Sequence, residues 1–272
     1  MTKQFHVIGD PIHHSLSPVI HNFWLQQAGL DANYSALHVT QAAFASVLAD
    51  LAAKGVSGLN VTLPHKSKAI EIAATMSLAA HKIGAANTLT LLPDGSWNAD
   101  NTDAAGLLIA LARNGYESFA GKTALIIGAG GAARAAVHAL HEAGSNIIIL
   151  NRTTTRAIDL SQQLTHGIAR TGQMSDLDVM ADDADFVINT TSAGHEGEAI
   201  ALPPGRNRLF LDISYGQAAD RQLALAQQAG WRIADGLDML VGQAAESFYI
   251  WTGLRPDLSG ALLLCRRALE EK

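Results

Sequence analysis

The chain has 272 residues, a formal charge of −6, 48% apolar and 16% charged side chains, and 24 glycines. That length and composition suit one large α/β domain or two ordinary ones, and exclude a disordered or fibrous chain. The acidic balance argues against a general nucleic-acid binder, and no apolar run reaches the length of a membrane span. The single cysteine, Cys265, sits in an apolar helix pattern and cannot form an internal disulfide. With no secretory signal before the first strand pattern, the expected compartment is the cytoplasm.

In chain order, residues 5–8 read as a first strand, broken at Gly9-Asp10-Pro11. Residues 18–28 read as a helix with Ser17 as N-cap and Pro18 at the favoured first position. Residues 34–39 form a second strand pattern, and 41–53 an amphipathic helix closed by Gly55. A third strand, 58–63, is cut off by Pro64, and a helical stretch follows over 65–74. Residues 88–92 and 96–99 flank a Pro-Asp-Gly turn and read as a hairpin. A connecting helix is expected over 104–114, ending at Gly115.

Residues 124–134, ALIIGAGGAAR, then pass from a short apolar strand through glycines into an Ala-rich helix pattern over 132–143. Strand, glycine turn and helix together are the form of a dinucleotide-binding unit. Gly128 allows the sharp turn, Gly130 lets a pyrophosphate approach, and Ala133 takes the small packing position. The free N–H groups at the helix start, around Gly131, would face the phosphates. The next strand pattern, 146–150, ends in Asn151-Arg152-Thr153, with Arg156 soon after. A carboxylate at that strand end would serve a ribose 2′-OH; asparagine with neighbouring guanidinium groups suits a 2′-phosphate, and so NADP(H) rather than NAD. Further strands are expected at 186–190, 209–213 and 231–234, and closing helices at 237–251 and 258–270.

Polar residues are dense before the glycine motif. Ser15 and Ser17 offer hydroxyls at a helix start, a cradle for a carboxylate or plain capping. Asn60 and Thr62 alternate along a strand, and Lys66 follows just past the proline break. Asn87 opens the hairpin and Asp103 ends the Asp100-Asn101-Thr102-Asp103 run.

These pieces resemble the shikimate dehydrogenase family. SLSP (15–18), NVTLPHK (60–66), GAANT (84–88), DNTD (100–103), GAGGAAR (128–134), NRT (151–153) and DGLDMLVGQAA (235–245) occur in the family's order over nearly the whole chain. The resemblance implies an α/β protein of two domains. Residues 1–103 would form the substrate domain, 104–236 a Rossmann-type NADP domain, and 237–272 helices returning to the substrate domain. It implies NADPH-dependent, reversible reduction of 3-dehydroshikimate to shikimate, a step of aromatic amino acid biosynthesis. Ser15 and Ser17 would hold the substrate carboxylate, with Thr62 close by and Tyr215 contributing from the other domain. Asn60, Asn87, Asp103 and Gln243 would bind ring hydroxyls, and Lys66 with Asp103 would be the catalytic pair. Lys66 would either donate the proton to the ketone oxygen or polarise it, and Asp103 would orient the lysine. The cofactor would be held by Gly128, Ala129, Gly130, Gly131, Ala132, Asn151, Arg152, Thr153 and Arg156, with Thr190 and Ser192 beside the nicotinamide.

Two departures from the family pattern stand out. His195 follows NTTSAG where an apolar residue is usual, either as a loop histidine or as a pH-sensitive neighbour of the nicotinamide. Asp238 replaces the glycine common in DGLGML, so the local helix start is expected to differ. His138 and His141 lie three apart on one helix, but with no ligand cluster around them no metal is expected. The expected partner is a small molecule, shikimate or 3-dehydroshikimate, with no nucleic acid and no membrane, the protein acting as a monomer or homodimer. Three rivals remain. One is a quinate/shikimate dehydrogenase with relaxed cofactor use, and another a non-catalytic NADP-binding sensor of the same fold. The third shares only the nucleotide domain, as glutamyl-tRNA reductase does, and lacks support because no cysteine nucleophile precedes Cys265.

Overall fold

The structure, a computed structural model, describes residues 2–271. The chain divides into two compact units. One holds the described residues up to Gly106 and those from Leu240 onward; the other spans Leu107–Met239.

In the first unit, β1 (Lys3–Gly9), α1 (Ser17–Gln27), β2 (Ala32–His38), α2 (Phe44–Ala53) and β3 (Gly58–Val61) follow in order. Then come α3 (Lys66–Ile72), β4 (Thr75–Met76), α4 (Leu78–Ile83), β5 (Thr88–Leu91) and β6 (Trp97–Asp100). The strands form one six-stranded sheet in the order β2-β1-β3-β5-β6-β4. β1 runs parallel to β2 and β3, whereas β5 is antiparallel to β3 and β6. All four residues of β3 are buried, as a central strand requires. α2 packs through Phe44, Leu48 and Leu51, the i, i+4, i+7 stripe that its sequence carries.

One expectation is corrected. Ser17 is not the N-cap of α1: Leu16 holds that place, without a side-chain cap, and Pro18 lies within the first turn. Ser17 is buried instead, 5% exposed, with its side chain near the Tyr34 phenol, while its backbone N–H donates to Ser15 Oγ at 3.3 Å. Short β4 and α4 carry no periodic apolar signal, and the sequence pattern therefore predicts no element there.

α5 (Asp103–Arg113) leads into the second unit, where β7 (Thr123–Ile127), α6 (Gly131–Glu142), β8 (Asn146–Leu150), α7 (Thr154–Thr165) and β9 (Arg170–Gly172) follow. The unit continues with α8 (Leu177–Asp182), β10 (Phe186–Asn189), β11 (Leu209–Asp212), α9 (Gln217–Gln228) and β12 (Arg232–Ala234). Its sheet has the order β12-β11-β10-β7-β8-β9, with every pairing parallel. That is the doubly wound dinucleotide-binding order, with its switch point between β7 and β10. Apolar runs in β7, β8, β10 and β11 are buried on both faces.

α10 (Leu237–Thr252) and α11 (Leu258–Glu270) end the chain. α11 returns to pack on α1 in the first unit. Asp235 Oδ1 accepts from the Leu237 N–H at 3.1 Å and so starts α10, and Asp238 accepts from Arg113 Nε at 2.6 Å. The carboxylate that replaces glycine is thus an ion-pair partner for the end of α5. Among the described residues no helix is long and apolar enough to cross a membrane.

Candidate active site

In the first unit, four strand or helix ends bring one buried polar cluster together. β3 delivers Asn60, the turn after it ends in Lys66 as the first residue of α3, β5 is preceded by Asn87, and Asp103 opens α5. A carboxylate at a helix start is favoured by the dipole, and Asp103 also has its own N–H capped by Asn101 Oδ1 at 3.0 Å. An ammonium at the start of α3 is on the unfavoured end of a helix dipole, and Asp103 compensates it. Lys66 Nζ donates to Asp103 Oδ2 at 2.6 Å, with the two side chains 17% and 6% exposed. The other carboxylate oxygen, Oδ1, accepts from Asn87 Nδ2 at 2.9 Å. Asn87 Nδ2 also lies 3.1 Å from Gln243 Oε1, on α10. Asn60 donates to the Asn87 carbonyl at 3.1 Å and accepts from the Tyr34 hydroxyl at 2.7 Å. Lys66, Asp103, Asn60, Asn87 and Gln243 therefore form one connected set. Ser15, half-buried, lies just before α1, and Thr62, just after β3, packs its methyl against Gly9.

Sequence reasoning passed over four members of this cluster. Ser247, Thr88 and Thr102 are buried hydroxyls linking Asn60 to Asn87, and Tyr34 holds Asn60 from the other side. A signal existed for Ser247: it lies four residues after Gln243 on one helix, hence on the same face. Beneath Tyr34, the imidazole of His21 stacks at 4.2 Å and is 1% exposed. Burial pushes its pKa down to about 3, against a small opposing effect of Asn60, so it is neutral.

In the second unit the candidate cofactor residues gather at the ends of β7, β8 and β10. Gly128 has φ +117°, and a Cβ there would meet Thr190 Oγ1 at 2.4 Å, so only glycine fits the turn. Gly130 faces open space and is the N-cap of α6, which has no side-chain cap. The first N–H groups of α6, near Gly131 and Ala132, are thereby left for a ligand, with Ala129 beside them. Asn151 Nδ2 donates to the Thr153 carbonyl at 2.9 Å, fixing the turn into α7, whose N-cap Thr153 makes no side-chain cap either. Arg152 and Arg156 are exposed and have no ion-pair partner among the described residues. An uncapped helix start, an open glycine and two available guanidinium groups with no carboxylate at the strand end fit a 2′-phosphorylated dinucleotide. Thr190 donates to the Ile127 carbonyl at 2.7 Å, while Ser192 and His195 are exposed. Tyr215, half-buried, follows β11 in this unit.

Family profiles match three stretches of the chain. Residues 7–89 match the shikimate dehydrogenase substrate binding domain, 110–227 shikimate / quinate 5-dehydrogenase, and 236–260 the shikimate 5′-dehydrogenase C-terminal domain. Shikimate dehydrogenase (NADP(+)) of Hyphomonas neptunium is 44% identical over 270 residues, 99% of each chain.

The chain belongs to the shikimate dehydrogenase family.

Solved members share its fold along nearly the full length. Shikimate dehydrogenase from Aquifex aeolicus is 32% identical with a TM-score of 0.88, covering 97% of this chain and 98% of its own. The Thermus thermophilus enzyme in complex with NADP(H) and shikimate is 34% identical with a TM-score of 0.86, covering 98% and 99%. The two-unit α/β architecture, with its Rossmann-type second unit, is therefore that of shikimate dehydrogenases.

Proposed function

We propose that this protein is an NADP-dependent shikimate dehydrogenase, reducing 3-dehydroshikimate to shikimate reversibly. The observation that carries the reading is the buried Lys66–Asp103 pair at 2.6 Å, set among Asn60, Asn87 and Gln243. NADPH, held by the ends of β7, β8 and β10 through the residues from Gly128 to Ala132 and by Asn151, Arg152, Thr153 and Arg156, supplies the hydride. Thr190 and Ser192 complete that binding set. Ser15 and Ser17, with Thr62 and Tyr215, take the substrate carboxylate, and the amides of Asn60, Asn87 and Gln243 take ring hydroxyls.

Lys66 Nζ gives one N–H to Asp103 and keeps two for the ketone oxygen. As the carbonyl carbon is reduced, its π electrons move to that oxygen. The ammonium stabilises the developing charge and passes a proton from Nζ to oxygen. Asp103 holds the lysine in place through Oδ2 while Asn87 holds Asp103 through Oδ1. In the oxidative direction Lys66 takes the hydroxyl proton back. With Cys265 buried and no second cysteine in the chain, we assign this chemistry to a reducing, cytoplasmic setting.

The test is a steady-state assay of purified protein with shikimate or quinate, each paired with NADP⁺ or NAD⁺. The expected result is that kcat/KM for shikimate with NADP⁺ dominates the four. Comparable turnover of quinate, or with NAD⁺, replaces this reading by that of a broader quinate/shikimate dehydrogenase. No turnover with any pair replaces it by a cofactor-binding protein without catalysis.

A further inference from the structure

Resting on the reading above, in which Asn60 and Asn87 bind the ring hydroxyls, we propose that Ser247 is a positioning residue that holds both amides in place at once, in the directions that neighbouring backbone groups set. Ser247 is fully buried on α10. Its hydroxyl has the Gln243 carbonyl one turn back at 3.1 Å, and a carbonyl can only accept, so the single proton goes there. The oxygen is left as an acceptor with two lone pairs. Asn60 Nδ2 donates into one of them at 2.9 Å. The hydroxyls of Thr88 and Thr102 lie 2.8 and 3.1 Å from the same oxygen, and each also reaches Asn87 Oδ1, at 3.0 and 3.2 Å. Whichever threonine donates to Ser247, the other is free to donate to Asn87. In either arrangement one serine oxygen ties the two asparagines together.

The direction of each amide follows from groups that have no choice. The backbone N–H of Thr102 donates to Asn87 Oδ1 at 2.8 Å, so the Asn87 nitrogen must face Asp103. The Asn87 carbonyl accepts from Asn60 Nδ2, so Asn60 Oδ1 must face Tyr34, whose phenol then donates. Burial raises the Tyr34 pKa well above its usual value and keeps that proton in place. Asn60 is thus held between a phenol donor and the Ser247 acceptor. An amide held in only one orientation presents a fixed pattern of donors and acceptors, and that pattern discriminates ring stereochemistry because the wrong epimer cannot match it.

Two variants test this with packing preserved. Ser247→Ala removes one oxygen, and Tyr34→Phe removes the phenol while its ring stays on His21. Each is expected to raise the KM for shikimate about tenfold, lower kcat less than about threefold, and leave the KM for NADP⁺ and the pH profile of kcat unchanged. In NMR spectra of the ligand-free protein, the side-chain NH₂ resonances of Asn60 and Asn87 should shift and exchange faster in Ser247→Ala than in wild type. An unchanged KM for shikimate, or unmoved amide resonances, overturns the proposal. So does a joint fall of kcat and both affinities that tracks a lower melting temperature, since that is the mark of a merely structural residue. A wild-type protein that does not turn over shikimate overturns the functional reading instead, and the NMR comparison still decides whether Ser247 orders the two amides.

Discussion

In the first unit Asn60, Asn87, Thr102 and Asp103 are each at most 5% exposed, and each is hydrogen-bonded within the fold. In the second unit Gly130, Arg152, Thr153, Arg156 and Ser192 all face solvent, and the helix starts at α6 and α7 lack side-chain caps. The contrast matches what each region has to recognise. A small ring with several hydroxyls is told from its isomers by fixed donors and acceptors, and buried polar groups stay fixed only when every one is satisfied. A dinucleotide is recognised mostly by its phosphates, for which backbone N–H groups and mobile cations suffice, and water covers them until the ligand arrives.

The sharpest way to break this comparison is to remove the ammonium from the closed set. Lys66→Ala is expected to lower kcat by about 10²–10⁴ through loss of the proton donor, with NADPH affinity within about twofold of wild type. Steady-state rates together with a fluorescence titration of NADPH check both halves. Near-wild-type turnover would remove Lys66 from the chemistry. In the open region the effect is smaller and selective. Arg152→Ala should weaken NADPH about 10- to 100-fold and NADH by less than about threefold, since only NADPH carries the phosphate that a guanidinium pairs with. Equal losses for both cofactors, read by the same titration, would mean that the 2′-phosphate is gripped by another group.

The two regions also differ in how far the sequence reveals them. Residues 124–134 announce their turn because strand, glycines and helix are contiguous, and Arg152 follows a single strand later, so local pattern is enough. The alternation of β3 and the Pro-Asp-Gly turn are legible for the same reason. The partners of Asn60 are not, because Tyr34 and Ser247 are separated from it by 26 and 187 positions. Ser17 looks like a cap because capping is the commonest use of serine before a proline, and only packing places its side chain near the Tyr34 phenol. β9 escapes notice as well, since its three residues are polar or small and take their strand form from pairing with β8.

His21 offers the mildest and most specific way to sharpen the contrast, since it is a titratable ring locked inside the closed region. It is 1% exposed, stacked on Tyr34, and its Nε2 has no hydrogen-bond partner among the described residues. Its pKa falls from 6.5 to about 3 because burial disfavours the charged imidazolium. The unfolded chain binds a proton at His21 near pH 6.5 that the folded chain refuses until about pH 3. Between those values the unfolded state holds more protons, so stability falls as the pH drops through 6.5 and this contribution is fully present only above it. One pH unit below the unfolded value, the loss is about 1.4 kcal/mol from this one group. His21→Phe keeps a flat ring on Tyr34 and removes the titration. Urea unfolding at pH 7.5 and 5.5 should therefore show the wild type losing about 1.4 kcal/mol more than the variant over that interval. Equal losses in the two proteins would mean that the imidazole can take up a proton in the folded state, and that the first unit is less closed to water than its hydrogen bonds imply.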